Sequence, residues 1–199
     1  MTKTSDSSDD LAGYEVLVAV CGGIAAYKVG YVVSELVQRG AGVRVAMTRA
    51  ARRFVGPMTF QALTGRAVLT SLWRSHDVGD VQHIGVTDTA DLMLIAPATA
   101  NVIGKIAAGI ADDLVTTLVV SAASPVVLAA AMNSRMWANP IVRDNVTRLA
   151  SAGFTLLEPD EGWLACRDTG PGRMREPRDI LDTIAAILQK TPPKRGNDA

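Results

Sequence analysis

Several short runs in this chain are apolar almost throughout, and segments with helical spacing stand between them. The runs are residues 15–21, 43–47, 91–96 and 126–131, with a shorter one at 154–157. A strand with one wet face alternates apolar and polar residues. A strand apolar on both sides has to be covered on both sides. Helical patterns fill the intervals at 24–39, 57–63, 101–108, from about 111, at 141–152 and at 177–189. The last carries Ile180, Leu181, Ile184, Ile187 and Leu188 on one face. Gly40 is a natural stop for the first helix, and Pro97 is read as closing the third strand. The pattern predicts an α/β fold with a parallel sheet between two helical layers. In such sheets ligands bind beyond the carboxyl ends of the strands, so the residues just after each strand are the ones to inspect.

At 199 residues the chain is long enough for one domain. We read residues 14–190 as that domain, and 1–13 and 191–199 as polar, disordered tails. The formal net charge is zero, which argues against broad nucleic-acid binding. The cluster Arg49, Arg52 and Arg53 is too small to change that. The N-terminal segment has no apolar core of the signal-peptide kind. The most apolar stretch, 115–132, is interrupted by Thr116, Thr117, Ser121, Ser124 and Pro125, against a membrane span. The expected location is the cytoplasm. The two cysteines, Cys21 and Cys166, are expected to be unpaired there. Cys21 ends an apolar run and reads as a core thiol.

After the first strand stands Cys21-Gly22-Gly23-Ile24-Ala25-Ala26-Tyr27-Lys28. Two glycines before a helix can bring backbone N–H groups onto an anion, although a purely structural turn also wants glycine. The spacing is neither that of a Walker loop nor G-x-G-x-x-G. Thr48 follows the second strand, where its hydroxyl suits a helix cap as well as a ligand. Thr99, Ala100 and Asn101 follow the third, small residues with polar tips that suit the edge of a flat ligand. Ala131, Met132 and Asn133 follow the fourth, with Met136 and Trp137 next. Asn133 reads as a buried amide in need of partners, either a ligand carboxylate or a helix end.

Cys166 lies in a different setting. Its surroundings, from Gly162-Trp163-Leu164-Ala165 to Arg167-Asp168-Thr169-Gly170-Pro171-Gly172-Arg173-Met174, have the composition of a mobile polar loop. A thiol there is poorly placed for packing and well placed to meet a ligand. The two histidines are His76, in a polar stretch, and His83. No metal-ligand spacing links the His and Cys positions, and no metal is expected.

Taken in order, Gly23 to Lys28, His83, Ala96 to Asn101, the Gly109-Ile110-Ala111-Asp112-Asp113-Leu114 segment, Ala131-Met132-Asn133 with Met136-Trp137, and Leu164-Ala165-Cys166 with Gly172-Arg173-Met174 resemble the homo-oligomeric flavin-containing cysteine decarboxylases. The resemblance covers about residues 14–188. It implies a Rossmann-like, flavodoxin-type three-layer fold, bound FMN, and a trimer or assembly of trimers with the active site at the subunit interface. The implied substrate is a small molecule, 4′-phosphopantothenoylcysteine, decarboxylated to 4′-phosphopantetheine in coenzyme A biosynthesis. Gly22, Gly23, Ile24 and Ala25 would hold the FMN phosphate, with Thr48, Thr99, Ala100, Asn101 and Ala131 lining the flavin. Asn133, Met136 and Ala165 would bind substrate. His83 would act on the substrate thiol, and Cys166, on a flap spanning about 158–176, would be the proton donor.

The chemistry accounts for those residue types. Cysteine has no electron sink beta to its carboxylate, so its thiol-bearing carbon is first oxidised to a thioaldehyde. Loss of CO2 then gives an enethiolate, which is reduced while an acid protonates the neighbouring carbon. Two positions depart from the family pattern. Ala130 stands where the family has Pro. Arg167 stands where it has Gly after the flap cysteine, and could alter flap motion or meet the substrate phosphate. A peptide with a C-terminal cysteine is an alternative substrate, and a non-catalytic FMN-binding regulatory subunit is the alternative outside enzymes. No fused synthetase is expected on this chain.

Overall fold

The computed structural model describes residues 9–72 and 82–194, with the backbone alone for 82–84. His76 lies outside the described residues. The expected sheet is present. Its strands are β1 (Glu15–Val20), β2 (Gly42–Met47), β3 (Leu92–Ala98), β4 (Val126–Ala130) and β5 (Thr155–Leu157). All pair in parallel in the order β2-β1-β3-β4-β5. That is the flavodoxin-type order, and its reversal point lies between β1 and β3.

The alternation of side chains along each strand divides the core in two. Val16, Val18 and Val20 of β1, with Leu92 and Leu94 of β3, face one cluster. That cluster contains helices α1 (Ala26–Gln38), α2 (Pro57–Thr64) and α8 (Pro177–Leu188). Leu17 and Ala19, with Met93 and Ile95, face the other. There lie α3 (Gln82–Thr89), α4 (Ala100–Ala107), α5 (Leu114–Val120) and α7 (Pro140–Ser151). Every residue of β1, β3 and β4 is buried. Each such Val or Leu contributes about 1.5–3 kcal/mol, which explains why these segments are apolar on both faces.

Several boundaries differ from expectation. Pro97 does not close its strand, because β3 runs on to Ala98. The pairing with β4 shifts register between Ile95 and Ala98, and a proline without an N–H is accommodated at such an irregularity. The fifth helix begins at Leu114, not near 111. Asp113 and Thr116 form a reciprocal capping box, each side chain accepting the other's backbone N–H. The N-terminal tail ends earlier than 13. Leu11 is fully buried, and the Asp10 carboxylate pairs with Arg39 at the end of α1. The C-terminal tail also begins later than 191. The Lys194 N–H donates to Asp91, and its Nζ donates to the Ala90 and Asp88 carbonyls.

The largest difference is the Cys166 segment. It is an antiparallel hairpin of β6 (Asp160–Trp163) and β7 (Thr169–Arg173), not a loop. Its three glycines and Pro171 conceal it in the sequence, since all depress strand propensity. A last short helix, α6 (Ser134–Trp137), connects β4 to α7. Among the described residues no helix is long and apolar enough to cross a membrane.

Candidate active site

The site forms where the sheet reverses direction. The loop after β1 and the loop after β3 diverge around the reversal point, and the hairpin folds over the opening. They enclose a cavity of about 820 Å3, ample for a nucleotide-sized ligand. Its lining includes Gly22, Gly23, Ile24 and Ala25 from the first loop and Thr99, Ala100 and Asn101 from the second. Ala131, Asn133 and Met136 come from beyond β4, and Ala165 and Cys166 from the hairpin. Residues read separately along the sequence thus meet around one space.

The glycine turn is shaped by close approach. A Cβ at Gly22 would overlap that of Ala50 and stand 3.0 Å from the Ala50 carbonyl carbon. At Gly23 the nearest atoms to a Cβ would be those of Pro97 and Thr99. The turn therefore packs against the loop after β2 only because Gly22 lacks a side chain, whereas a Cβ at Gly23 would make ordinary contacts of 3.4 Å or more. Helix α1 starts directly from it with Ala25 at the N-cap, which offers no side-chain acceptor. By contrast, Thr99, Asp113, Asn133 and Asn139 cap their helices with side-chain oxygens. An uncapped helix end opening onto a cavity suits an anion.

Of its two candidate roles the structure shows Asn133 in one, the helix end. It is half-buried rather than buried. Its Oδ1 accepts the Arg135 N–H at 2.8 Å, capping α6. That fixes the amide orientation and leaves Nδ2 as the free donor. Nδ2 donates to Cys166 Sγ at 3.2 Å. An amide N–H on the sulfur occupies its acceptor side, so the S–H remains available as a donor in another direction.

The hairpin turn that carries Cys166 is tight. The Leu164 carbonyl accepts from the Arg167 N–H at 2.9 Å, and the Leu164 N–H donates to the Asp168 carbonyl at 2.8 Å. Arg167 sits at φ 63. A turn followed by a left-handed residue closes three-residue hairpin loops, and glycine is the residue that fits there. The base of the hairpin is anchored by the Met132 N–H donating to the Gly172 carbonyl.

Two predicted site residues stand apart from the cavity. Thr48 does not line it, because its hydroxyl accepts the Ala51 N–H at 3.1 Å and caps a single 3-10 turn at Ala51–Arg53. Arg167 is exposed at the hairpin tip and does not line it either, because the left-handed turn directs it elsewhere. His83 belongs to α3, and its side chain lies outside the described residues. Cys21 is buried and unpaired, and burial, with Asp113 nearby, pushes its thiol pKa up.

Sequence reasoning missed Tyr27, Lys28, Met132, Trp163, Leu164, Gly172, Arg173 and Met174, all in the lining. Several belong to motifs that were recognised, but nothing in the sequence says that Lys28 and Arg173 converge. Both pair with Glu176, Lys28 at 2.8 Å and Arg173 at 2.7 Å. The Lys28 hydrogen bond, with Arg173 adding to it, holds the Glu176 carboxyl below its ordinary pKa.

A reversal-point cavity with an uncapped glycine turn, roofed by a thiol-bearing hairpin, defines a nucleotide-binding α/β protein of the flavoprotein type. Residues 4–189 match the model of the Flavoprotein family, and the chain belongs to that family. Among curated proteins it is 49% identical over 166 residues to the coenzyme A biosynthesis bifunctional protein CoaBC of Bacillus subtilis, covering 83% of this chain and 41% of that protein. It is 44% identical over 176 residues to the CoaBC protein of Escherichia coli, covering 88% of this chain and 43% of that one. The chain thus spans less than half the length of these relatives. Among solved structures it resembles a cysteine-to-serine variant of PPC decarboxylase complexed with pantothenoylaminoethenethiol. The TM-score is 0.80 with 32% identity, covering 88% of this chain and 98% of that one. It also resembles the FMN-dependent cysteine decarboxylase SpaF, with TM-score 0.78, 34% identity and coverage of 90% and 98%.

Proposed function

We propose that this chain binds FMN and decarboxylates 4′-phosphopantothenoylcysteine to 4′-phosphopantetheine in coenzyme A biosynthesis. The observation that carries the reading is the Asn133–Cys166 contact inside the cavity. It unites a neutral amide donor with a thiol, the pair that a cysteine carboxylate and a developing carbanion require. The names of the similar proteins point the same way.

The cavity fits the cofactor. Gly22, Gly23, Ile24 and Ala25 would hold the FMN phosphate at the uncapped start of α1, in a cradle that a Cβ at Gly22 would fill. Thr99, Ala100, Asn101 and Ala131 would line the flavin. Bound FMN would supply two-electron chemistry, taking electrons from the thiol-bearing carbon and returning them after CO2 has left.

The chain's own residues then have distinct tasks. Asn133 Nδ2 orients the substrate carboxylate through an uncharged donor, so the carboxylate is held without the tight ion pairing that would oppose its loss. Met136 and Ala165 shape the pocket around the cysteine moiety. Cys166 Sγ gives its proton to the carbon that lost CO2. His83 assists deprotonation of the substrate thiol. The hairpin excludes water while these steps proceed.

The working unit in this reading is a cytoplasmic homotrimer, or an assembly of trimers, with the site at the subunit boundary. Ile24, Tyr27 and Tyr31 support it, 60%, 55% and 67% exposed in an apolar row at the start of α1 beside the cavity. The test is to supply FMN and 4′-phosphopantothenoylcysteine and follow CO2, product and the flavin spectrum. Wild type should release phosphopantetheine. Cys166→Ser should lose about 10²–10⁴ in turnover and accumulate an oxidised, decarboxylated enethiol with reduced flavin. Failure to bind FMN would overturn the reading.

A further inference from the structure

The amide and the thiol that meet in the cavity are mounted on two separate elements. Asn133 stands at the start of α6, a single turn, and Cys166 at the tip of the hairpin. Trp137 is the one buried side chain of α6, and its N–H donates to the Asn133 carbonyl at 3.0 Å. Whatever fixes the indole therefore fixes the turn that presents Asn133. The hairpin is closed at its neck by Glu158, which stands between β5 and β6. The Glu158 carbonyl accepts from Arg175 Nε at 3.1 Å, and the same Nε lies 3.3 Å from the Asp160 carboxylate. The chain entering the hairpin is thereby joined to the chain leaving it.

Arg143 of α7 reaches both elements. Its guanidinium lies 4.5 Å from the centroid of the Trp137 ring. Its Nη2 donates to Glu158 Oε1 at 3.2 Å. A planar guanidinium can stack on an indole and donate in its own plane at the same time, which an ammonium cannot. Helix α7 is itself packed into the core through Val146 and Leu149. Both contacts are therefore referred to the rigid sheet and its helices.

We propose that Arg143 is a positioning residue for the proton transfer, holding α6 and the neck of the hairpin at the separation where Asn133 Nδ2 meets Cys166 Sγ. This rests on the function proposed above. Arg143 does not line the cavity, so it acts through the two elements that it joins. The Arg143 and Glu158 side chains are 43% and 55% exposed. Their ion pair alone is weak, and the stack on Trp137 supplies the rest of a modest effect.

The test separates the two half-reactions of FMN-loaded full-length protein by stopped-flow absorbance with 4′-phosphopantothenoylcysteine. Arg143→Leu should leave flavin reduction within about twofold of wild type and slow the later flavin reoxidation about 3- to 10-fold. Arg143→Lys, which restores the charge but not the stacked fork, should fall between. In a Cys166→Ser background, Arg143→Leu should add no further slowing, because the group that it positions is gone. Without substrate, the Met132 amide, which donates to the Gly172 carbonyl, should exchange with deuterium faster in Arg143→Leu. Full additivity with Cys166→Ser, equal slowing of both half-reactions, or unchanged Met132 exchange would each overturn the proposal. A wild type whose flavin stays oxidised with substrate would overturn the decarboxylase reading instead. Amide exchange, read without substrate, still decides whether Arg143 holds the hairpin.

Discussion

The cavity has a rigid wall and a light roof, and the two are built by opposite means. The wall is the carboxyl edge of β1, β3 and β4, whose residues are all buried and packed against helices on both faces. The roof is the β6–β7 hairpin, in which only Leu164 and Gly172 are buried. It is held by the Met132–Gly172 backbone bond and by exposed ion pairs, Arg173 with Glu176 and Arg175 with Asp160. Such exposed pairs are each worth little, in the range of about 0–1 kcal/mol. The difference teaches that the glycine-turn side of the cavity is placed by the global stability of the domain, whereas the Cys166 thiol is placed by a lightly packed element of the kind that opens locally.

Glycine substitutions on either side can break that contrast. Gly22→Val should affect both fold and cofactor. Its Cβ overlaps Ala50, so stability should fall by roughly 1–3 kcal/mol, about 2–4 °C of Tm per kcal/mol, and FMN retention should drop. Thermal melts and flavin content measure both. Gly172→Ala should affect activity more than stability. Gly172 adopts φ 157, and its Cβ would collide with the Met132 carbonyl oxygen. Turnover should fall by at least about tenfold, while Tm shifts less than in Gly22→Val. Equal Tm losses in the two variants would show that the roof is as integral as the wall.

The smallest effect sharpens the contrast within the hairpin. Arg167→Gly removes a left-handed non-glycine residue, a relief of about 1–2 kcal/mol that the greater freedom of unfolded glycine partly offsets. The Leu164 amide, which donates to Asp168, should exchange more slowly with deuterium. Faster exchange would mean that the arginine side chain stabilises the turn.

The fold was legible because burial on both faces leaves a local mark. Residues 16–21, 92–96 and 126–131 are apolar throughout, so the parallel sheet and its ligand-binding edge followed. The family resemblance names Gly22, Asn101, Asn133 and Cys166 as parts of one site, and all four line the cavity. Less was legible where the reason for a structure lies elsewhere in the chain. Leu11 is a single apolar residue in a polar segment, and only the groove that it fills shows that it is core. Helix α3 has no strong apolar face and gave no periodic signal.

By itself the sequence determined the layering, the glycine turn and the identity of the groups available for chemistry, because these depend on hydrophobic period and residue type. Tertiary structure alone decided how those groups meet. It turned a glycine-rich segment into a hairpin, directed Arg167 away from the cavity, and used Thr48 as a cap. It also joined Lys28 to Arg173 through Glu176. Each of these depends on contacts between distant segments, Lys28 and Glu176 being 148 residues apart, and no local pattern records them.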